Sequence, residues 1–84
     1  MTELAREIKE AILKTIPNAT VLVTDPDGQH FEAIVISDIF VGMPLMKQHQ
    51  LVMNSLKEQF KERVHALALK TTTPEKWNQL NKEK

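Results

Sequence analysis

Two short runs of alternating apolar and polar residues flank Asp25-Pro26-Asp27-Gly28, and this arrangement limits the possible folds of the 84-residue chain more than any other feature. On one side Ala19, Val21 and Val23 alternate with Thr20, Leu22 and Thr24. On the other, His30 to Ser37 places Phe31, Ala33 and Val35 on one face and Glu32, Ile34 and Ile36 on the opposite one. A period of two is that of a half-buried strand. Asp at the first position, Pro at the second and Gly at the fourth form a type I turn signature. The segment therefore predicts an antiparallel hairpin.

A third run of small and branched residues, Val64 to Lys70, predicts another strand, and 26 residues separate it from Ser37. That connection carries the longest helical pattern in the chain. Leu45, His49, Val52, Leu56 and Phe60 recur at spacings of four, three, four and four, with Met46 and Met53 beside them and Pro44 in the first turn. A break in this helix is expected near Lys47 to Gln50. A helical crossover of this length joins parallel neighbours, so the second and third strands should be parallel with right-handed connectivity.

Leu4, Ile8, Ile12 and Ile16 form one apolar stripe, capped by Thr2 and ended by Pro17, which predicts a first helix over 2–15. A last helix opens at Thr73-Pro74, or at a capping box of Thr72 with Glu75, and is anchored by Trp77 and Leu80. The order is α-β-β-α-β-α with the second helix split, α(α), a mixed α+β fold with a three-stranded sheet in a single domain of residues 1–84.

Several function classes are excluded. The chain has no cysteine, so it has no disulfide framework, zinc ribbon or cysteine nucleophile. Its only glycines are Gly28 and Gly42, too few for a Gly-rich phosphate loop. Ser37 and Ser55 lack the company of a catalytic triad. No enzyme is expected. The charged N-terminal residues Glu3, Arg6, Glu7, Lys9 and Glu10 lack the apolar run of a secretory signal, and no stretch is apolar enough to cross a membrane. A cytoplasmic location is expected.

The zero net charge hides an asymmetry. Residues 1–46 hold three bases and seven acids, whereas residues 47–84 hold eight bases and four acids. Lys47, Lys57, Lys61, Arg63 and Lys70 could face an anionic partner such as nucleic acid, with a solvated helix face as the plainer alternative.

The three histidines carry the remaining chemistry. His49 lies on the helical stripe, where a half-buried packing role is the simple explanation. His30 and His65 both stand at the start of strands predicted to run parallel, which brings their backbones to roughly 5 Å if the strands are neighbours. Because Phe31 must point into the core, His30 should point outward. Two imidazoles make an incomplete metal site. Either another molecule supplies the remaining ligands or there is no site.

Phe40-Val41-Gly42, His49 nine residues after Phe40, Val64-His65-Ala66-Leu67-Ala68-Leu69 and Thr73-Pro74-Glu75-Lys76-Trp77 together resemble the BolA family over nearly the whole chain. Asp27-Gly28-Gln29-His30-Phe31 is similar to its short-loop members. The resemblance implies a fold related to class II KH domains. It also implies a monothiol glutaredoxin partner and a 2Fe–2S cluster shared with that partner and with glutathione, none being held by the isolated chain. By the same resemblance His65 is a cluster ligand and the loop between the first two strands supplies another, for which His30 is the candidate.

Many members carry a Cys or His a few residues before the phenylalanine, where this chain has only His30 adjacent to Phe31. Many also read Arg-His-Arg where this chain has Gln48-His49-Gln50. The expected function is an adaptor in iron–sulfur cluster trafficking, iron regulation and stress response, as a monomer or weak homodimer when alone. The alternative is a transcriptional regulator with weak, electrostatic DNA binding through the lysines and arginine above. The KH Gly-x-x-Gly clamp on nucleic-acid backbones is absent.

Overall fold

The three strands pair in the order β1-β2-β3, with β2 (Phe31–Ile36) central. The computed structural model describes residues 3–25, 27, 30–57, 59–61 and 67–82, the last two by backbone alone. β1 (Thr20–Thr24) runs antiparallel to β2, with Val21 opposite Val35 and Val23 opposite Ala33. β3 (Leu67–Thr72) runs parallel to β2, from Phe31↔Leu67 to Ile36↔Thr72. The hairpin and the parallel crossover pairing are both as the patterning predicts.

Helix α1 (Glu3–Thr15) buries Ala5, Ile8, Ala11 and Ile12, and Ile16 follows them into the core. Helix α2 (Leu45–Leu56) buries Val52 and Leu56. α1 packs on β1 and α2, and α2 packs on β3. Phe31, Ala33 and Val35 meet both helices in one apolar cluster that also holds Val21, Phe40 and Phe60. The β2 alternation is clear at Glu32, which is exposed, but Ile36 at the far end of the strand is buried on the face expected to be open.

Several expectations are corrected. α2 is continuous through Lys47 to Gln50, so the second helix is not split there. A 3₁₀ turn, Asp38–Phe40, precedes it, and the Ser37 hydroxyl accepts the Ile39 N–H at the turn's start. Leu45 does not join the buried stripe: it is 60% exposed, because the stripe reaches the core only from Val52 onward. β3 extends to Thr72, two residues beyond the predicted Lys70; the Ser37 N–H adds one more bond, to Thr72 O at 3.1 Å. The predicted start of that strand, Val64 to Ala66, lies outside the described residues.

Helix α3 (Pro74–Lys82) begins with Pro74, and Thr73 Oγ1 accepts the Lys76 N–H, so Thr73 rather than Thr72 is the cap. Trp77 is half-buried, but Leu80 is 60% exposed and anchors nothing.

Gln48 ties three segments together. Its Nε2 donates to Met43 O at 2.7 Å and to Phe40 O at 3.4 Å, and its Oε1 accepts from Thr71 Oγ1 at 2.6 Å. The connection into α2, the helix itself and β3 are thereby held in one register. Gly42, within that connection, has a φ of 75°, a conformation that costs any residue with a Cβ.

Leu56→Ala should lower unfolding free energy by about 2–5 kcal/mol, the cost of a cavity at a fully buried leucine, whereas Leu80→Ala should change it by less than about 0.5 kcal/mol. Chemical denaturation of the two variants checks the contrast. Gln48→Ala should cost about 1–3 kcal/mol through the polar groups it strands. Faster amide exchange at Val41 and Met43 would locate that loss in the connection.

Candidate functional site

Side chains alternate along β2, and Phe31 is 2% exposed, so its predecessor must turn outward. His30 does so. It stands immediately before the Phe31↔Leu67 pair that opens the parallel ladder. His65, two residues before Leu67 in the chain, lies outside the described residues, as does Arg63.

The imidazole of His30 is not loose. Asp27 accepts the His30 backbone N–H through Oδ1 at 2.7 Å and lies 2.6 Å from His30 Nδ1 through Oδ2. An ionised carboxylate can only accept, so Nδ1 carries the ring proton. In the neutral ring it is then Nε2, on the far side, that has the lone pair, and the side chain is 74% exposed. A neutral imidazole with an accessible Nε2 is a competent ligand for a metal presented from outside. The sequence pattern assigns Asp25 the first turn position and gives no role to Asp27. The available signal is the three-residue spacing from Asp27 to His30, at which an Asp side chain can bond back to a following N–H.

Among the described residues, no group of three or more His, Cys, Asp or Glu side chains could hold a metal ion. Those residues therefore offer no site for a resident mononuclear metal.

Among the described basic residues, Lys70 does not share a surface with Lys57 and Lys61. Lys57 and Lys61 line an apolar groove of about 910 Å³ on the outer side of α2, together with Leu45, Met46, His49 and Met53. His49 is half-buried, as its place on the stripe suggests. Lys47 is exposed in the first turn of α2 and does not line that groove. Lys70 is opposite Ile34, on the sheet face away from the Phe31 and Ala33 core, so the sheet separates it from the α2 lysines. Sequence clustering thus does not bring Lys70 to the α2 lysines. No helix among the described residues is long and apolar enough to cross a membrane.

The family described as BolA-like protein matches residues 6–76. The "DNA-binding transcriptional regulator BolA" of Vibrio cholerae serotype O1 is 34% identical over 83 residues, covering 96% of this chain and 77% of its own. The "Acid stress protein IbaG" of Escherichia coli K12 is 33% identical over 72 residues, covering 84% of each. The solved structure of a bolA protein homologue from Coxiella burnetii superposes with a TM-score of 0.74 at 35% identity, covering 93% of this chain and 97% of that one. With the α-β-β-α-β-α order and the parallel β2–β3 pair, these similarities establish that the chain belongs to the BolA family.

Proposed function

We propose that this protein is an adaptor that binds a monothiol glutaredoxin and shares a 2Fe–2S cluster with it, in iron–sulfur cluster trafficking or iron regulation. The observation that carries the reading is the exposed His30 imidazole, whose Nδ1 is held 2.6 Å from Asp27 Oδ2 with Nε2 on the far side of the ring. It stands at the start of the parallel strand pair, the end toward which the family resemblance puts the other ligand, His65. When bound, the cluster would supply the affinity that joins the two proteins. This chain would contribute imidazole nitrogens, and the partner cysteine and a glutathione thiol would contribute the rest. A site with donors from two chains needs its local members exposed, as His30 is. The reading assigns the protein no enzymatic step; its cytoplasmic location is part of the same proposal.

The second reading, DNA binding, has one specific support: the Vibrio cholerae relative is named a DNA-binding transcriptional regulator. In this chain such binding would be weak and electrostatic. Lys47, Lys57 and Lys61 are exposed on or just after α2, Lys70 is on another face, and among the described residues no Phe, Tyr or Trp lines the groove that holds Lys57 and Lys61. Glutaredoxin binding is therefore ranked first.

Co-purification with a monothiol glutaredoxin should give a coloured heterocomplex. His65→Ala should leave a folded chain that cannot hold that colour, and His30→Ala should shorten the cluster's lifetime without abolishing glutaredoxin binding. A wild-type visible spectrum from the His65→Ala complex would remove that residue from the ligand set. In gel shifts, DNA complexes should fade as ionic strength approaches about 0.15 M and show little sequence preference. Sequence-selective binding on the order of 10⁻⁸ M at that salt would reverse the ranking.

A further inference from the structure

The hairpin carries a carboxylate whose two oxygens both engage one residue. Asp27 Oδ1 takes the His30 backbone N–H at 2.7 Å and Oδ2 takes the ring Nδ1–H at 2.6 Å. The first bond ties the Asp27 side chain to the backbone just before β2. The second fixes the rotation and tautomer of the ring. Neither bond is needed to bury apolar surface, since the Asp27 and His30 side chains are 52% and 74% exposed. One contact on the backbone and one on an exposed imidazole restrict the residue for a purpose other than packing.

We infer that Asp27 is a positioning residue that holds the His30 imidazole in the Nδ1–H tautomer, with Nε2 presented outward as an electron-pair donor. This rests on the reading of His30 as a ligand of a shared metal cluster. The physical basis is general: a ligating histidine that donates its other ring N–H to a carboxylate has its tautomer and orientation set in advance and its basicity raised. Preorganisation matters more on an exposed hairpin than in a core, where close packing on every side holds a ring. Asp27 acts through His30 and would not itself touch the cluster.

The discriminating variant is Asp27→Asn. An asparagine side-chain oxygen can still accept the His30 backbone N–H, so the turn is retained. Its amide nitrogen, however, presents a donor where the carboxylate presented an acceptor. Nδ1 must then accept, and the ring proton moves to Nε2, the atom the metal requires. A purely structural role for Asp27 in the turn predicts no such reversal.

The first measurement uses the isolated, ¹⁵N-labelled chain at a pH that keeps the imidazole neutral. Long-range ¹H–¹⁵N correlation should show the Nδ1–H tautomer for His30 in the wild type and a shift toward Nε2–H in Asp27→Asn. Identical tautomer populations in the two proteins would overturn the inference without reference to any cluster. The second measurement follows the visible absorption of the glutaredoxin heterocomplex. Asp27→Asn should shorten cluster lifetime, by about tenfold if it weakens the ligand as outer-shell carboxylate substitutions do, and the double variant Asp27→Asn/His30→Ala should decay no faster than His30→Ala alone. If His30→Ala shortens the lifetime and Asp27→Asn does not, the role of Asp27 is wrong and the ligand stands. If His30→Ala changes nothing, the ligand itself is wrong and the purpose assigned to Asp27 falls with it.

Discussion

The parallel pairing of β2 with β3 is the constraint on which the rest of this molecule depends. A parallel neighbour cannot be reached by a tight turn, so the chain must cross over, and the crossover brings α2 against the sheet. That helix supplies Val52 and Leu56, and Phe60 follows just beyond it, to cover Phe31 and Ala33 of the central strand. A register slip of one residue between β2 and β3 would turn one strand's alternation to the wrong face. The observed register pairs Phe31 with Leu67 and Ala33 with Leu69, so the apolar residues of both strands share the covered side.

The same pairing gives the sheet two chemically different ends. At the finishing end of β2 and β3, polar groups are consumed internally: Ser37 extends the ladder to Thr72, and Gln48 ties Thr71 to the connection before α2. That end is built for rigidity. At the starting end, the ladder opens next to His30, whose side chain is exposed and held by Asp27. A rigid scaffold with an exposed polar group at one end is the usual setting for a binding site.

Much of this architecture was legible beforehand because its signals are local and repeated. The alternation in β1 and β2, the four-residue stripe of α1 and the Thr73-Pro74 start of α3 each report the chain's own periodicity or capping chemistry. The errors share a cause. Leu45 and Leu80 follow a helical period but are exposed, and Ile36 sits on the strand face expected to be open but is buried. Periodicity says which residues share a face; it does not say how far along that face a neighbouring element reaches. The same gap separated Lys70 from Lys57 and Lys61, which a count of charges had grouped together.

The candidate site divides along the same line. The amino-acid sequence by itself determined the donor inventory: no thiol, three imidazoles, His30 beside a core phenylalanine, and hence a histidine that faces outward whatever the details. It also determined the crossover, because 26 residues with a helical period between two strands leave little other connectivity. Only the tertiary structure decided which ring nitrogen of His30 is held and by which acid. Of the two aspartates in the turn, backbone geometry directs both oxygens of Asp27 at His30. That choice depends on dihedral angles within a few residues of the turn, and composition and spacing do not encode them. Periodic burial is dictated by many residues acting together, whereas the direction of a single lone pair is set by one hydrogen bond.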